Sequence, residues 1–197
     1  MSVRFDRPVE AIVIGASSGG VEALTRVLPA LSADTRASVF VVLHLPRERG
    51  SLLVDVFAPR CKLPVREVHD KDPIAAGTIY FAPPDYHLLI DEGPQLALSM
   101  DEPVEFSRPS VSVLFETAAA VYGDRLLALL LTGAGSDGAA GMQAVQRAGG
   151  LTVVQQPESA RMPQMPAAAL ERISVDHVLT LEEIMTMFQA LPRAGRA

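Results

Sequence analysis

The sequence predicts an α/β fold: a doubly wound, mostly parallel sheet with helices on both faces and an antiparallel β-hairpin region in the middle of the chain. Three observations carry this. AIVIG (residues 11–15), VFVVLH (39–44) and LLALLLTG (126–133) are short apolar runs, as expected of strands buried on both faces. Segments of helical period follow them. Between residues 64 and 100 the pattern changes to four short runs broken by Pro, Gly and Asp.

The elements follow in order. After AIVIG, the stretch Gly19–Leu31 places Val21, Leu24, Val27, Leu28 and Leu31 on one face, which predicts an amphipathic helix. VFVVLH gives the second buried strand. A charged loop and the helical segment SLLVDVF come next. PVREV, TIYFAP, YHLLID and LALSM are expected as hairpin strands, inserted into or appended to the main sheet, with EGP near residue 93 as a turn. SVSVLFETAAAVY (110–122) reads as a helix and LLALLLTG as the third buried strand. Residues 138–148 read as a helix closed by Gly149 and Gly150. LTVVQ gives a further strand. TLEEIMTMFQAL closes the chain as an amphipathic helix with Thr180 as N-cap, and the tail LPRAGRA is expected to fray.

Composition bounds the rest. A chain of 197 residues, 49% apolar, can bury the core of one domain. No apolar run approaches the ~20 residues of a membrane span, and the charged start MSVRFDRPVE lacks a signal core. Cytoplasmic residence without membrane insertion is therefore expected. The net charge of −6 gives no nucleic-acid footprint. The single cysteine, Cys61, excludes an internal disulfide and reads as a small, partly buried apolar residue.

In a doubly wound sheet, ligands bind beyond the carboxyl ends of the strands. Ser17, in Gly15-Ala16-Ser17-Ser18-Gly19-Gly20, follows the first strand; His44 ends the second; Asp137 follows the third. A serine hydroxyl is a weak nucleophile until a base takes its proton, and imidazole suits that task. A buried carboxylate can then orient the imidazole and stabilise its cation. The glycines beside Ser17 permit a sharp strand-to-helix turn, and the helix start would aim free N–H groups at an oxyanion. Taken alone, this turn matches G-x-S-x-G but equally suits a phosphate cradle; the dinucleotide fingerprint and the Walker lysine are absent. The order Ser, His, Asp is preferred, because His177, the one histidine after Asp137, reads as a solvated surface residue.

GASSGGVEAL, VVLHLP, IYFAPPDYHLLI, RPSVSVLFETAA, LLLTGAGSDGAAGM and AGGLTVVQQPESA, in that order, resemble the blocks of the chemotaxis protein-glutamate methylesterase/protein-glutamine glutaminase catalytic domain (CheB type). The resemblance runs from about residue 10 to about residue 188, so one catalytic domain is expected over 1–197. It implies Ser17 as nucleophile, His44 as general base and Asp137 as the residue orienting His44. It also implies hydrolysis of glutamyl γ-methyl esters, and deamidation of glutamines, on cytoplasmic segments of methyl-accepting chemotaxis receptors, through an acyl-enzyme and without cofactor or metal. Members usually carry an N-terminal receiver domain and linker. The sequence begins about nine residues before its first strand and shows neither, so it is expected to be an excised domain or a stand-alone variant; in the second case control is absent or supplied by a separate receiver or regulatory protein. Where the family commonly has an oxyanion-hole methionine, Ala134 stands here, retaining a backbone donor. Where it often has a histidine before RPSV, Ser107 stands here.

The remaining residues carry paired readings. Ser18 is a turn residue or an oxyanion donor. Arg108 is a surface ion-pair partner or a contact for an acidic receptor segment. Asp137 could merely cap the following helix. His87 reads as structural before it reads as bordering the cleft. Met162 and Met165, with their prolines, form a loop over the cleft or ordinary packing. His69, Asp70 and Asp72 share a polar loop without recurring metal-ligand spacing. Two other functions fit part of the pattern: a catalytically silent receptor-binding module of the same fold, and a phosphate or nucleotide binder using the Gly15–Gly20 turn.

Overall fold

The computed structural model describes residues 5, 7–44, 52–93 and 95–191. The charged loop after His44, the proline of the EGP turn, most of the first six residues and the tail after Leu191 lie outside the described residues.

Seven strands form one parallel sheet. In chain order they are β1 (Ala11–Ala16), β2 (Ser38–Leu43), β3 (Val65–Glu67), β4 (Ile79–Phe81), β7 (Leu126–Leu130), β8 (Leu151–Gln155) and β9 (His177–Leu179), and in space β3-β4-β2-β1-β7-β8-β9. The strands β5 (His87–Asp91) and β6 (Gln95–Ser99) pair separately as an antiparallel hairpin. The chain builds outward from β1 through β2, then crosses to β7 on its other side. The strand order therefore reverses at β1, where such sheets open a crevice.

The buried strands have apolar side chains on both faces because both faces are covered. Ile12, Ile14, Val39, Val41, Leu127 and Leu129 point to one core, with α1 (Gly20–Val27), α2 (Leu53–Phe57) and α6 (Leu181–Gln189) packed on it. Val13, Phe40, Val42, Ala128 and Leu130 point to the other, under α3 (Val111–Tyr122), α4 (Ala139–Arg147), α5 (Gln164–Arg172) and the hairpin. Phe40 stacks on Tyr80 at 5.6 Å on this second face, and Phe57 on Phe81 at 5.1 Å on the first. The predicted one-faced helix after β1 buries Ala23, Leu24 and Val27, while Val21 is exposed.

Two expectations need correction. PVREV and TIYFAP do not supply antiparallel strands. Their cores are β3 and β4, which run parallel to each other and to β2. Three-residue strands carry no sequence mark of direction, and residues 68–78 cross over between them without a helix. The loop expected at Met162 and Met165 is in part a helix: Met162 precedes α5 and bonds to Thr132 and Gly133, whereas Met165 lies within α5. Pro163 is the N-cap and Pro166 lies in the first turn, where a missing N–H costs nothing. Met165 is fully buried there, so packing is the reading that holds.

Candidate active site

The ladder between the central strands positions the site. Ala16 pairs with Leu43, so Ser17 and His44 are the next residues in register on adjacent strands. His44 N–H donates to the Ala16 carbonyl (3.1 Å) and Ser17 N–H to the Thr132 carbonyl beyond β7 (3.0 Å). The rim of three strands is thus tied at the backbone before any side chain is considered. Gly20 N–H then donates to the Ser17 carbonyl (2.7 Å), closing the turn, and Gly19 adopts φ 84°, a left-handed conformation suited to glycine. Gly133 serves by its size. A Cβ there would lie 2.9 Å from Ser17 Cβ and 2.0 Å from Met165 Sδ, so only glycine lets this loop approach the serine.

Thr132 stiffens the turn from below. Its hydroxyl donates to the Ser18 carbonyl (2.9 Å) and accepts from Met162 N–H (2.9 Å), while its N–H donates to Gln155 Oε1 (2.9 Å). Ser17 is partly exposed, and Ser18 and Ala134 are exposed. Among the described residues, the N–H groups of Ser18 and Ala134 donate to no protein acceptor.

Asp137 is buried, 3% exposed, and all its acceptor capacity faces donors. Its Oδ2 accepts from His44 Nε2 (2.9 Å) and Val111 N–H (2.7 Å); its Oδ1 accepts from Ser110 Oγ (2.8 Å) and Ser112 N–H (3.0 Å). The carboxylate therefore sits on the free N–H groups that open α3, at the positive end of its dipole. Burial pushes the Asp137 carboxyl up. The bonds from His44, Ser112 and Val111 outweigh that and hold it below the usual carboxylate value, so it stays ionised. With Nε2 given to Asp137, Nδ1 of His44 is the free ring nitrogen, without a partner among the described residues.

The structure thus joins His44 to Asp137 and sets both beside the Ser17 turn. Asp137 does touch a helix start, but that of α3; the following helix α4 begins after Gly138 with no side-chain cap. Arg108 lies elsewhere in the network. Its guanidinium donates to Asp85 Oδ1 (2.9 and 3.1 Å) and to the carbonyls of Met100 (2.8 Å) and Asp101 (3.1 Å). Ser107 lies on a turn where it exchanges backbone hydrogen bonds with Val104, and within that turn Glu105 Oε2 accepts from Ser136 Oγ (2.7 Å), one residue before Asp137. His177 starts the edge strand β9, half-buried. Sequence reasoning missed Ser110, Ser112, Thr132 and Gln155. Only Ser110 offered a signal, as a hydroxyl residue directly before an apolar helical run.

The comparisons decide the family. The CheB methylesterase family model matches residues 12–188. The chain belongs to the CheB methylesterase family. A relative from Leptospira interrogans is 43% identical over 179 residues, covering 91% of this chain and 93% of that protein. A relative from Anaeromyxobacter dehalogenans, named protein-glutamate methylesterase/protein-glutamine glutaminase 2, is 41% identical over 185 residues. The chain spans about half of that longer CheB relative (54%). The crystal structure of the Thermotoga maritima CheB methylesterase catalytic domain superposes with a TM-score of 0.88, at 28% identity, over 94% of this chain and all of that one. The α/β architecture expected from the sequence is thus the CheB catalytic-domain fold. Among the described residues, no helix is long and apolar enough to cross a membrane.

Proposed function

We propose that this CheB-family protein is a serine hydrolase that removes methyl esters from glutamyl side chains and deamidates glutamines on cytoplasmic segments of chemotaxis receptors. Ser17 is the nucleophile, His44 the general base and Asp137 the residue that holds the imidazole. The observation that carries the reading is the 2.9 Å bond from His44 Nε2 to a buried carboxylate, at the register position adjacent to Ser17. An unrelated phosphate cradle would have no use for an ionised, fully bonded carboxylate at this rim, and the names of the relatives favour ester and amide substrates.

The chemistry follows from the free nitrogen. His44 Nδ1 takes the Ser17 proton as Oγ attacks the ester carbonyl, while Asp137 stabilises the resulting imidazolium. The carbonyl oxygen becomes an oxyanion facing the N–H groups of Ser18 and Ala134, which are backbone donors and so indifferent to the small Ala134 side chain. The ester C–O bond then breaks and methanol leaves with the proton from Nδ1; with a glutamine the amide C–N bond breaks and ammonia leaves with that proton. Water repeats the sequence on the acyl-enzyme and releases glutamate. Arg108, being ion-paired, shapes the segment before α3 and contacts substrate only if Asp85 yields it.

The test is methanol release from a helical peptide bearing a glutamyl γ-methyl ester. Ser17→Ala and His44→Ala should each lower kcat by roughly 10³-fold or more with the fold retained. An active-site-directed serine probe should label the wild type at Ser17. Undiminished turnover by purified Ser17→Ala, or no labelling at Ser17, ends the reading; the second result favours a silent binding module.

A further inference from the structure

We infer that His87, on the β5–β6 hairpin, is a positioning residue for the reaction, acting on Asp137 through Ser110. The inference rests on the proposed triad. His87 is 1% exposed, and both ring nitrogens are used. Nδ1 accepts from Ser110 N–H (3.1 Å), and Nε2 lies 3.1 Å from the Glu102 carbonyl. Since a carbonyl can only accept and an N–H can only donate, the ring is neutral, with its proton on Nε2. Ser110 is the N-cap of α3, and its hydroxyl donates to Asp137 Oδ1 at 2.8 Å. Asp137 Oδ2 in turn takes His44 Nε2. A continuous hydrogen-bonded line thus joins the hairpin to the base: His87, Ser110, Asp137, His44.

The line does work that the α3 dipole alone does not. Val111 and Ser112 donate to Asp137 from the helix backbone, which fixes the carboxylate along the helix axis. Ser110 has extended backbone (φ −102°, ψ 137°) and precedes the helix; its hydroxyl and carbonyl accept only long bonds from Val113 N–H (3.4 Å) and Leu114 N–H (3.5 Å), so the partner of its own N–H adds to its orientation. That partner is His87 Nδ1. The histidine is anchored independently, by its antiparallel pairing with Ser99 and by the Glu102 carbonyl. An apolar side chain of similar volume would leave the buried Ser110 N–H unpaired and loosen Ser110. Partners that orient metal ligands typically contribute 10- to 100-fold to function, and an effect of similar size is expected for a group that orients the carboxylate behind a base.

Two variants separate this role from mere packing. In His87→Asn the amide oxygen takes the place of Nδ1 and can accept from Ser110. In His87→Gln the amide reaches the place of Nε2 and can donate to Glu102, while Ser110 loses its acceptor. We expect His87→Asn to keep kcat within about threefold of wild type, and His87→Gln to lose about 10- to 100-fold in kcat with KM unchanged. A second readout needs no turnover: the His44 Nε2–H proton, held by Asp137, should give a downfield NMR resonance that persists in His87→Asn and broadens in His87→Gln. Equal kcat and equal resonances in the two variants would overturn the inference. If the resonance responds as stated but even wild type releases no methanol, the hydrolase reading falls and the His87 line stands.

Discussion

The two faces of the sheet are built from the same apolar strands but differ in what lies beneath their helices. Under α1, α2 and α6 the packing is mostly apolar, from Leu24 and Phe57 to Phe188, with Gln155 as a buried polar side chain that takes the Thr132 N–H. Under α3 and the hairpin, a buried polar line of His87, Ser110, Ser112 and Asp137 runs through the packing to the rim. The two helix caps show the contrast most directly. Thr180 caps α6 in a self-contained exchange with Glu183, at the surface. Ser110 caps α3 while its hydroxyl serves Asp137. The first face is held together chiefly by apolar contact; the second also carries the hydrogen bonds that hold Asp137 against His44.

Breaking the polar face should have the largest effect. Asp137→Asn keeps the shape but places an amide among donors, and should lower kcat about 10³- to 10⁴-fold, as measured by methanol release. The same substitution tests pH dependence. The folded-state value of Asp137 lies below the ordinary 3.8, so between the two values the unfolded chain binds the extra proton and stability rises with pH. The contribution is complete above the unfolded value and is lost as pH falls through the folded one. Urea midpoints taken from about pH 5 down to about pH 3 should therefore fall more steeply for wild type than for Asp137→Asn.

On the apolar face, Phe188→Ala should cost about 3–5 kcal/mol of stability by urea denaturation, with kcat per folded molecule unchanged. A collapse of kcat well below its melting temperature would show that the faces are not independent. The caps give the finer comparison. Ser110→Ala should cost about 1–2 kcal/mol and also lower kcat about tenfold or more. Thr180→Ala should cost about 1 kcal/mol and leave kcat alone. The smallest effect concerns Cys61, whose thiol burial pushes up to about 11 against the opposing Arg60 charge. Iodoacetamide should alkylate it slowly at neutral pH, and Cys61→Ala should hydrolyse ester at the wild-type rate.

The sequence was most legible where strands are buried on both faces. β1, β2 and β7 are unbroken apolar runs, and the positions just after them, Ser17, His44 and Asp137, lie at one rim of the sheet with His44 bonded to Asp137. The sequence was silent where the cause is distant. The partners of Asp137 at residues 110–112 come from another helix, so its bonds there leave no local pattern. The alternative of Asp137 as a cap on the following helix fails for this reason, since the N–H groups it accepts from are those of α3. The direction of β3 and β4 was hidden by their shortness. The helix α5 was hidden by prolines that are harmless in its first turn.

Because Asp137 takes the outer nitrogen of His44, the nitrogen left for Ser17 is the one nearest the main chain. With the ring held by its bond to Asp137, the position of this nitrogen follows the spacing of neighbouring strands, about 4.8 Å. The proposed reach between alcohol and base is therefore set in part by the hydrogen-bonded interior of the molecule, and heating that parts β1 from β2 should spoil it.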